Sequence, residues 1–375
     1  MSRLSRSKDA LRVVLPQALT LVVSALPVVA LLGVIPATAR AGDVFQIAND
    51  DASSLFDKTK ASVVQVQSGD KGFVNAGSGF FIDDHGTVLT SSTILGDNKT
   101  ARVIINGVTM EAKVIGNDPR SGLAMLRAAY DESPALTFSQ DALKTGDGVM
   151  MLGFPMSLPV TYSQGPVSGF DGSYLAQIAQ GDDGKTVSAI ERFATTHIHA
   201  NTTISPGQVG GPLLNSHGEV VGLVATSPDS GRSVYALPVN AMLKIVADFN
   251  LYGRARHGWV GINVAPGPDT QHDGRTVRVV QVVPGTPASQ SGILTGDTIM
   301  RIDSREIYRP EDVLDASFFT HVGGNMTVVI RRDDKLLDYT FAVIERPQPT
   351  PAPGSSVTSN APGASDGQPL LVTGK

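Results

Sequence analysis

The sequence predicts a mainly β protein built from two similar all-β halves followed by a smaller α+β unit. Three observations carry this. From about residue 60 the apolar residues fall in short β-branched runs: 62–67 (SVVQVQ), 79–82 (GFFI), 87–90 (TVLT), 102–105 (RVII) and 112–116 (AKVIG). Turn residues separate them at Asp83-Asp84-His85-Gly86, Asn106-Gly107 and Asn117-Asp118-Pro119, the pattern of an antiparallel sandwich or barrel. A second set of similar size occupies 148–154, 160–169, 192–200, 219–226 and 233–238. From 257 to 345 strands alternate with two short helical patterns, which makes a compact α+β module.

The elements follow in order. Arg3, Arg6, Lys8 and Arg12 precede a charge-free apolar stretch that ends in Ala39-Arg40-Ala41. Basic start, apolar middle and small-x-small end make residues 1–41 a signal peptide, or an N-terminal membrane anchor if the stretch is not cleaved. In either case the body is exported. Residues 55–252 hold the two β halves and a closing helix over 239–250, with Met242, Ile245, Val246 and Phe249 at helical spacing and Gly253 as its stop. Helical patterns at 287–294 and 309–319 fall inside the α+β unit at 257–345. Residues 346–375 are rich in Pro, Ser, Gly and Ala and read as a disordered tail.

Composition narrows the chemistry. The chain of 375 residues has no cysteine, which removes disulfides, thiolate metal sites and cysteine nucleophiles. Histidine chemistry must use one of seven residues: His85, His197, His199, His217, His257, His272 or His321. The formal charge is −5; residues 1–41 contribute +4, which leaves −9 on the exported body. An acidic body argues against nucleic-acid binding. His197 and His199 share one face of a strand, so they are weighed as two metal ligands and as a cross-strand structural pair. No third ligand is evident, and no metal or cofactor is expected.

Ser205-Pro206-Gly207-Gln208-Val209-Gly210-Gly211-Pro212-Leu213-Leu214-Asn215, with Gly218-Glu219-Val220-Val221-Gly222 after it, resembles the nucleophile loop of the trypsin-like serine proteases of the HtrA/Deg family. Gly77-Ser78-Gly79-Phe80-Phe81-Ile82 and Gly86-Thr87-Val88-Leu89-Thr90 are similar to the hairpin before that family's catalytic histidine. Residues 112–119 and 123–126 are similar to the surroundings of its aspartate, and Gly285-Thr286-Pro287-Ala288, Gly292-Ile293 and Gly296-Asp297 to its PDZ domain. The resemblance spans about 55–345 and implies a trypsin-like double β-barrel followed by a PDZ domain.

The resemblance also implies a degenerate triad. Where the family carries its histidine this chain has Thr93, where it carries the aspartate Gly122, and where it carries the serine Val209. None of the three can act as nucleophile, base or orienting acid near neutral pH. Gly207, Gln208 and Val209 can still present backbone N–H groups as an oxyanion hole; the alternative is a tight turn kept for folding. In the PDZ unit, Trp259-Val260-Gly261-Ile262 matches the family's carboxylate-binding loop. Val313, Leu314 and Phe318 are expected on the second groove wall, and Arg254, Arg256 and His257 to add positive potential. The alternative has Trp259 packed in the core and the arginines in solvent.

Three functions remain open. One is an exported pseudoprotease that binds C-terminal or unfolded peptide segments of envelope proteins as adaptor, holdase or regulator. It would form a homotrimer or a mixed oligomer with an active relative, with trimer contacts near Phe45 and Phe56, and would touch the membrane only through an uncleaved N-terminus. The second is an active serine endopeptidase with a non-standard nucleophile and base. The third is a scaffold without peptide binding.

Overall fold

The computed structural model describes residues 51–69, 75–180, 186–267 and 276–347. The export signal at 1–41, Phe45, His272 and the tail from 348 lie outside the described residues. Among the described residues, no helix is long and apolar enough to cross a membrane.

A helix over 51–59, α1, leads into six strands: β1 Val63–Ser68, β2 Asn75–Phe81, β3 Thr87–Ser91, β4 Thr100–Ile105, β5 Val108–Asp118 and β6 Leu123–Ala128. They close in the order β1-β2-β3-β6-β5-β4. The next six are β7 Gly148–Gly153, β8 Thr161–Gln180, β9 Thr186–Ala200, β10 Pro212–Leu214, β11 Val220–Thr226 and β12 Val234–Pro238. These close in the same relative order, β7-β8-β9-β12-β11-β10. The two halves are therefore one topology used twice, a double barrel. Closure leaves neither sheet with an open edge.

The strand alternation explains the closure. Val64, Val66, Phe81, Val88, Val103 and Leu126 point into the first barrel, and Val149, Met151, Ile198, Leu213, Val224 and Ala236 into the second. The opposite faces of the same strands, with Phe80, Leu89, Leu152, Leu214 and Leu223, fill the space between the barrels. Helix α3 (Val239–Tyr252) seals that seam with Met242, Ile245 and Phe249, all buried. It ends where Gly253 takes a left-handed conformation (φ 69°) and its N–H reaches Phe249 O at 3.0 Å.

The C-terminal unit has its own core around Val277, Ile299, Met326, Val328 and Ile330. Strands β14 (Ile262–Gly267), β15 (Thr276–Val282), β16 (Thr298–Ile302), β18 (Asn325–Arg332) and β19 (Lys335–Ala342) form one sheet in that order. The short β17 (Arg305–Glu306) pairs with β16, and β13 (Gly258–Trp259) with β20 (Ile344–Glu345). Helices α4 (Pro287–Ser291) and α5 (Pro310–Phe319) complete the α+β arrangement expected of a PDZ fold. A fourth short helix, α2 (Ser92–Leu95), lies in the first barrel.

The hairpin β8–β9 is longer than the sequence expectation, which ended its first strand at 169. Pairing continues past Asp171 to Gln180↔Thr186, with register shifts near Gly169, Gly172 and Gln177. These irregularities break the apolar alternation that marks a strand.

Candidate functional sites: the barrel cleft and the PDZ groove

Of the three positions read from the resemblance, Val209 and the α2 that carries Thr93 approach β2, and Gly122 lies on the β5–β6 turn bonded to α2. Ser78 N–H donates to Val209 O at 2.8 Å. A Cβ on Gly77 would lie 2.0 Å from Ile94 Cδ1 and 2.9 Å from Val209 O, so only glycine lets α2 and the 205–211 loop approach so closely. Ser92 N–H donates to Gly122 O at 2.9 Å, which ties α2, and with it Thr93, to the β5–β6 turn. Thr93 is exposed, and its hydroxyl lies 2.8 Å from that of Ser91, the N-cap of α2. Gly122 has φ 79°, and the space where a side chain would begin is open, with Ala225 Cβ 3.9 Å away.

The loop around Val209 is held from several sides. Buried Ser78 donates its hydroxyl to Gly207 O (2.8 Å) and accepts from Phe154 N–H (2.9 Å). Met156 N–H binds Pro206 O at 2.7 Å, and Gly211 N–H binds Gln208 O at 3.2 Å. In a planar trans peptide the N–H points opposite to the C=O. The N–H groups of Gly207 and Val209 therefore face away from those anchored carbonyls, and neither reaches an acceptor among the described residues. Gln208 N–H, by contrast, is used within the turn, donating to Ser205 O at 3.2 Å. Of the three N–H groups read from the sequence, two are available to an oxyanion. The Ser205 N–H also braces the loop, donating to Gln208 Oε1 at 2.7 Å.

Five of the described histidines sit in exposed turns or loops or in cross-strand contacts. His85 and His217 occupy exposed turns, and His321 is exposed on the PDZ unit. His197 is fully buried, stacks on Phe193 at 3.8 Å, and hydrogen-bonds Thr195 O through Nδ1. Burial lowers its pKa to about 4, so it stays neutral. His199 contacts Asp171 (3.1 Å) and Ser233 (3.2 Å) through its two ring nitrogens and stacks on Tyr235. Both rings thus serve cross-strand packing.

The PDZ loop shows the same N–H logic. Val260 O accepts from Ala288 N–H at the start of α4 (3.1 Å), and Gly261 O accepts from Val283 N–H (2.8 Å). With both carbonyls turned inward, the N–H groups of Gly261 and Ile262 face the other way. Gly261 has φ 85°, and a Cβ there would lie 2.2 Å from Thr286 Oγ1. Next to the loop, β14 is an edge strand with β15 as its one partner in the sheet order, the arrangement β-augmentation requires.

On the second wall, α5 differs from the expectation. Leu314 is half-buried, as a groove contact should be, but Val313 is buried in the PDZ core at 6% exposure. Phe318 turns to the other side, packing with the inter-barrel core and tilting against His257 at 5.7 Å. The reason is that α5 also docks on the second barrel. Asp315 accepts hydrogen bonds from Thr195 Oγ1 (2.6 Å), Thr196 N–H (2.8 Å) and Thr196 Oγ1 (2.9 Å). Trp259 is half-buried beside Ile344, with the Arg346 guanidinium 5.8 Å from its ring centre.

Arg254 and Arg256 do not serve the loop as expected: both bond Glu345. His257 Nε2 pairs with Asp118 Oδ2 at 2.9 Å, and both residues are buried. Burial alone would raise the Asp118 pKa. The hydrogen bond and charge of His257, with the N–H of Ser121, outweigh it and hold the carboxyl below its ordinary value. Gly122 N–H donates to Asp118 O at 3.0 Å, so one buried contact joins the Gly122 turn to the PDZ linker. Sequence reasoning missed this pair because 139 residues separate its members.

Residues 77–223 match the trypsin-like peptidase domain family, and residues 259–343 match the PDZ domain family. The periplasmic serine endoprotease DegP of Escherichia coli is 28% identical over 293 residues, which cover 74% of this chain and 58% of that protein. The chain spans about half to two thirds of the length of the curated relatives it matches. Among solved structures, the HtrA-type protease AlgW with a tripeptide superposes with a TM-score of 0.64 at 24% identity, covering 79% of this chain and 98% of that one. The serine endoprotease from Yersinia pestis gives 0.58 at 23% identity, with the same two coverages.

Proposed function

Proceeding from the premise that the chain belongs to the HtrA family, with a trypsin-like peptidase domain followed by a PDZ domain, we propose that it is an exported member that binds peptides without cutting them. The observation that carries this reading is Val209 in the nucleophile loop, next to Thr93 and Gly122 at the other two aligned positions. Acyl transfer needs a nucleophile, a base and a group to orient that base; Val209 has no polar atom, the Thr93 hydroxyl is no base near neutral pH, and Gly122 has no side chain. What remains can bind: two unclaimed N–H groups in the cleft, and a PDZ loop with outward N–H groups beside a free strand edge. The ligand class is an extended peptide ending in a free carboxylate, from unfolded or C-terminal segments of envelope proteins. The role is that of adaptor, holdase or regulator, alone or in a mixed oligomer with an active relative.

Trp259 is the single tryptophan, so it reports on this loop. Peptides with a free C-terminus should change its fluorescence saturably, and their amidated forms should not. Equal responses to both would remove the carboxylate claim.

The competing reading, cleavage by another nucleophile and base, has two structural candidates: Asp171–His199–Ser233, whose hydroxyl is on a residue only 5% exposed, and the buried Asp118–His257 pair. The nearest hydroxyl on that turn, Ser121, is 2% exposed, which bars a peptide carbonyl from reaching it.

A further inference from the structure

The junction between the first barrel and the PDZ unit contains a cavity of about 370 Å³ that the peptide reading does not use. Its walls include the 117–120 turn, Arg254, His257, Glu345 and Arg346. The charges do not balance. Glu345 is taken by Arg254 and Arg256, and Asp118 by His257. That leaves Arg120 and Arg346, neither of which makes an ion pair with any described residue.

Both residues line the cavity. Burial, and then the positive charge of Arg120, hold the Arg346 guanidinium below its usual pKa. Arg120 is exposed overall, and partial burial of its guanidinium lowers its pKa against a through-space attraction to Asp118. Unsatisfied polar atoms gather at the same place. Among the described residues, four buried side-chain polar atoms lack a hydrogen-bond partner. Two of them, Asn117 Oδ1 and His257 Nδ1, belong to residues lining this cavity, and a third, Ser121 Oγ, is on the adjoining turn. His257 itself is buried.

We propose that this junction pocket binds a phosphate group, as the free dianion or as a monoester, between Arg120 and Arg346. Guanidinium forks match the tetrahedral oxygens of phosphate, and two unpaired cations call for a dianion. The cavity is larger than a bare ion needs, so the substituent of a phosphate monoester also fits. Because the walls come from both the Gly122 turn and the PDZ linker, the bound anion would clamp the two units together.

The test is a titration of the full chain with inorganic phosphate and, separately, with glycerol 3-phosphate, at ionic strength fixed by chloride. The readouts are Trp259 fluorescence, through its contact with Arg346, and the thermal unfolding midpoint. A saturable response to either ligand that chloride does not produce supports the site, and the stronger ligand identifies the free ion or the ester as the source. Arg120→Gln should weaken that binding at least tenfold. Without phosphate the same variant should unfold no earlier than the parent, because it relieves a repulsion. Responses to both ligands that match the chloride control, or binding unchanged in Arg120→Gln, would overturn the proposal. So would an Arg120→Gln variant that is clearly destabilised without ligand, since that result makes Arg120 a structural residue.

Discussion

In the proposed reading, the barrel cleft and the PDZ groove meet a peptide with the same device, backbone N–H groups freed because the neighbouring carbonyls are anchored inward. In the cleft, Gly207 and Val209 offer such groups and the side chains around them offer no chemistry. In the groove, Gly261 and Ile262 offer them, and binding a carboxylate asks nothing further of the side chains. The difference is one of dependence. Catalysis requires three side chains at once and is lost with any of them, whereas recognition by backbone survives substitution as long as the loop keeps its shape. Hydrogen bonds hold the framework around Val209 from Ser78 to Met156 and Gly211.

The comparison breaks most visibly if the cleft can be made to cut. Val209→Ser alone should leave casein cleavage at background, since no imidazole is present to take the proton. Adding Thr93→His should raise the rate by about 10²- to 10⁴-fold, the usual worth of a general base. Adding Gly122→Asp should return far less than the ~10⁴-fold an orienting carboxylate gives, because φ 79° at this position forces the turn to rearrange around any side chain. A fluorogenic casein assay of the three variants in sequence measures each step.

Next in size is the contact that joins the two regions. Asp118→Asn should cost about 3–5 kcal/mol in urea unfolding, the usual penalty for removing one member of a buried pair. Because the folded Asp118 pKa is lowered, its contribution is complete above the ordinary aspartate pKa of about 4 and is lost as pH falls through the lower folded value. The parent should therefore lose stability on acidification below about pH 4, and Asp118→Asn should show a flatter acid limb.

Smaller effects separate loop from wall within the groove. Gly261→Ala places a methyl 2.2 Å from Thr286 and strains a left-handed residue, so peptide affinity should fall more than about tenfold by Trp259 titration. Leu314→Ala removes one half-buried side chain and should cost about 1 kcal/mol, or roughly fivefold. If Leu314→Ala exceeds Gly261→Ala, side-chain pockets rather than the loop dominate recognition.

Much of this was legible in the sequence for physical reasons. Short β-branched runs between Gly, Asp and Asn turns gave the strands, and helical spacing of Met242, Ile245 and Phe249 gave the sealing helix. The motifs around Leu89, Leu123 and Gly210 marked segments that the fold brings together, β3, β6 and the loop before β10. What stayed hidden depends on contacts between distant segments. Arg254, Arg256 and His257 read as free positive charge, yet Glu345 and Asp118 claim them across 89–139 residues. Val313 and Phe318 fit a groove wall by helical phase, but that phase does not reveal that α5 has a second neighbour in β9.

The central claim is that this protein holds peptides and does not hydrolyse them. The most direct measurement incubates the purified protein with an equimolar amount of unfolded casein and follows new termini by mass spectrometry. The account predicts fragments at no more than the level of the buffer control. Fragments that accumulate with time, and disappear in Ser205→Ala, would contradict it.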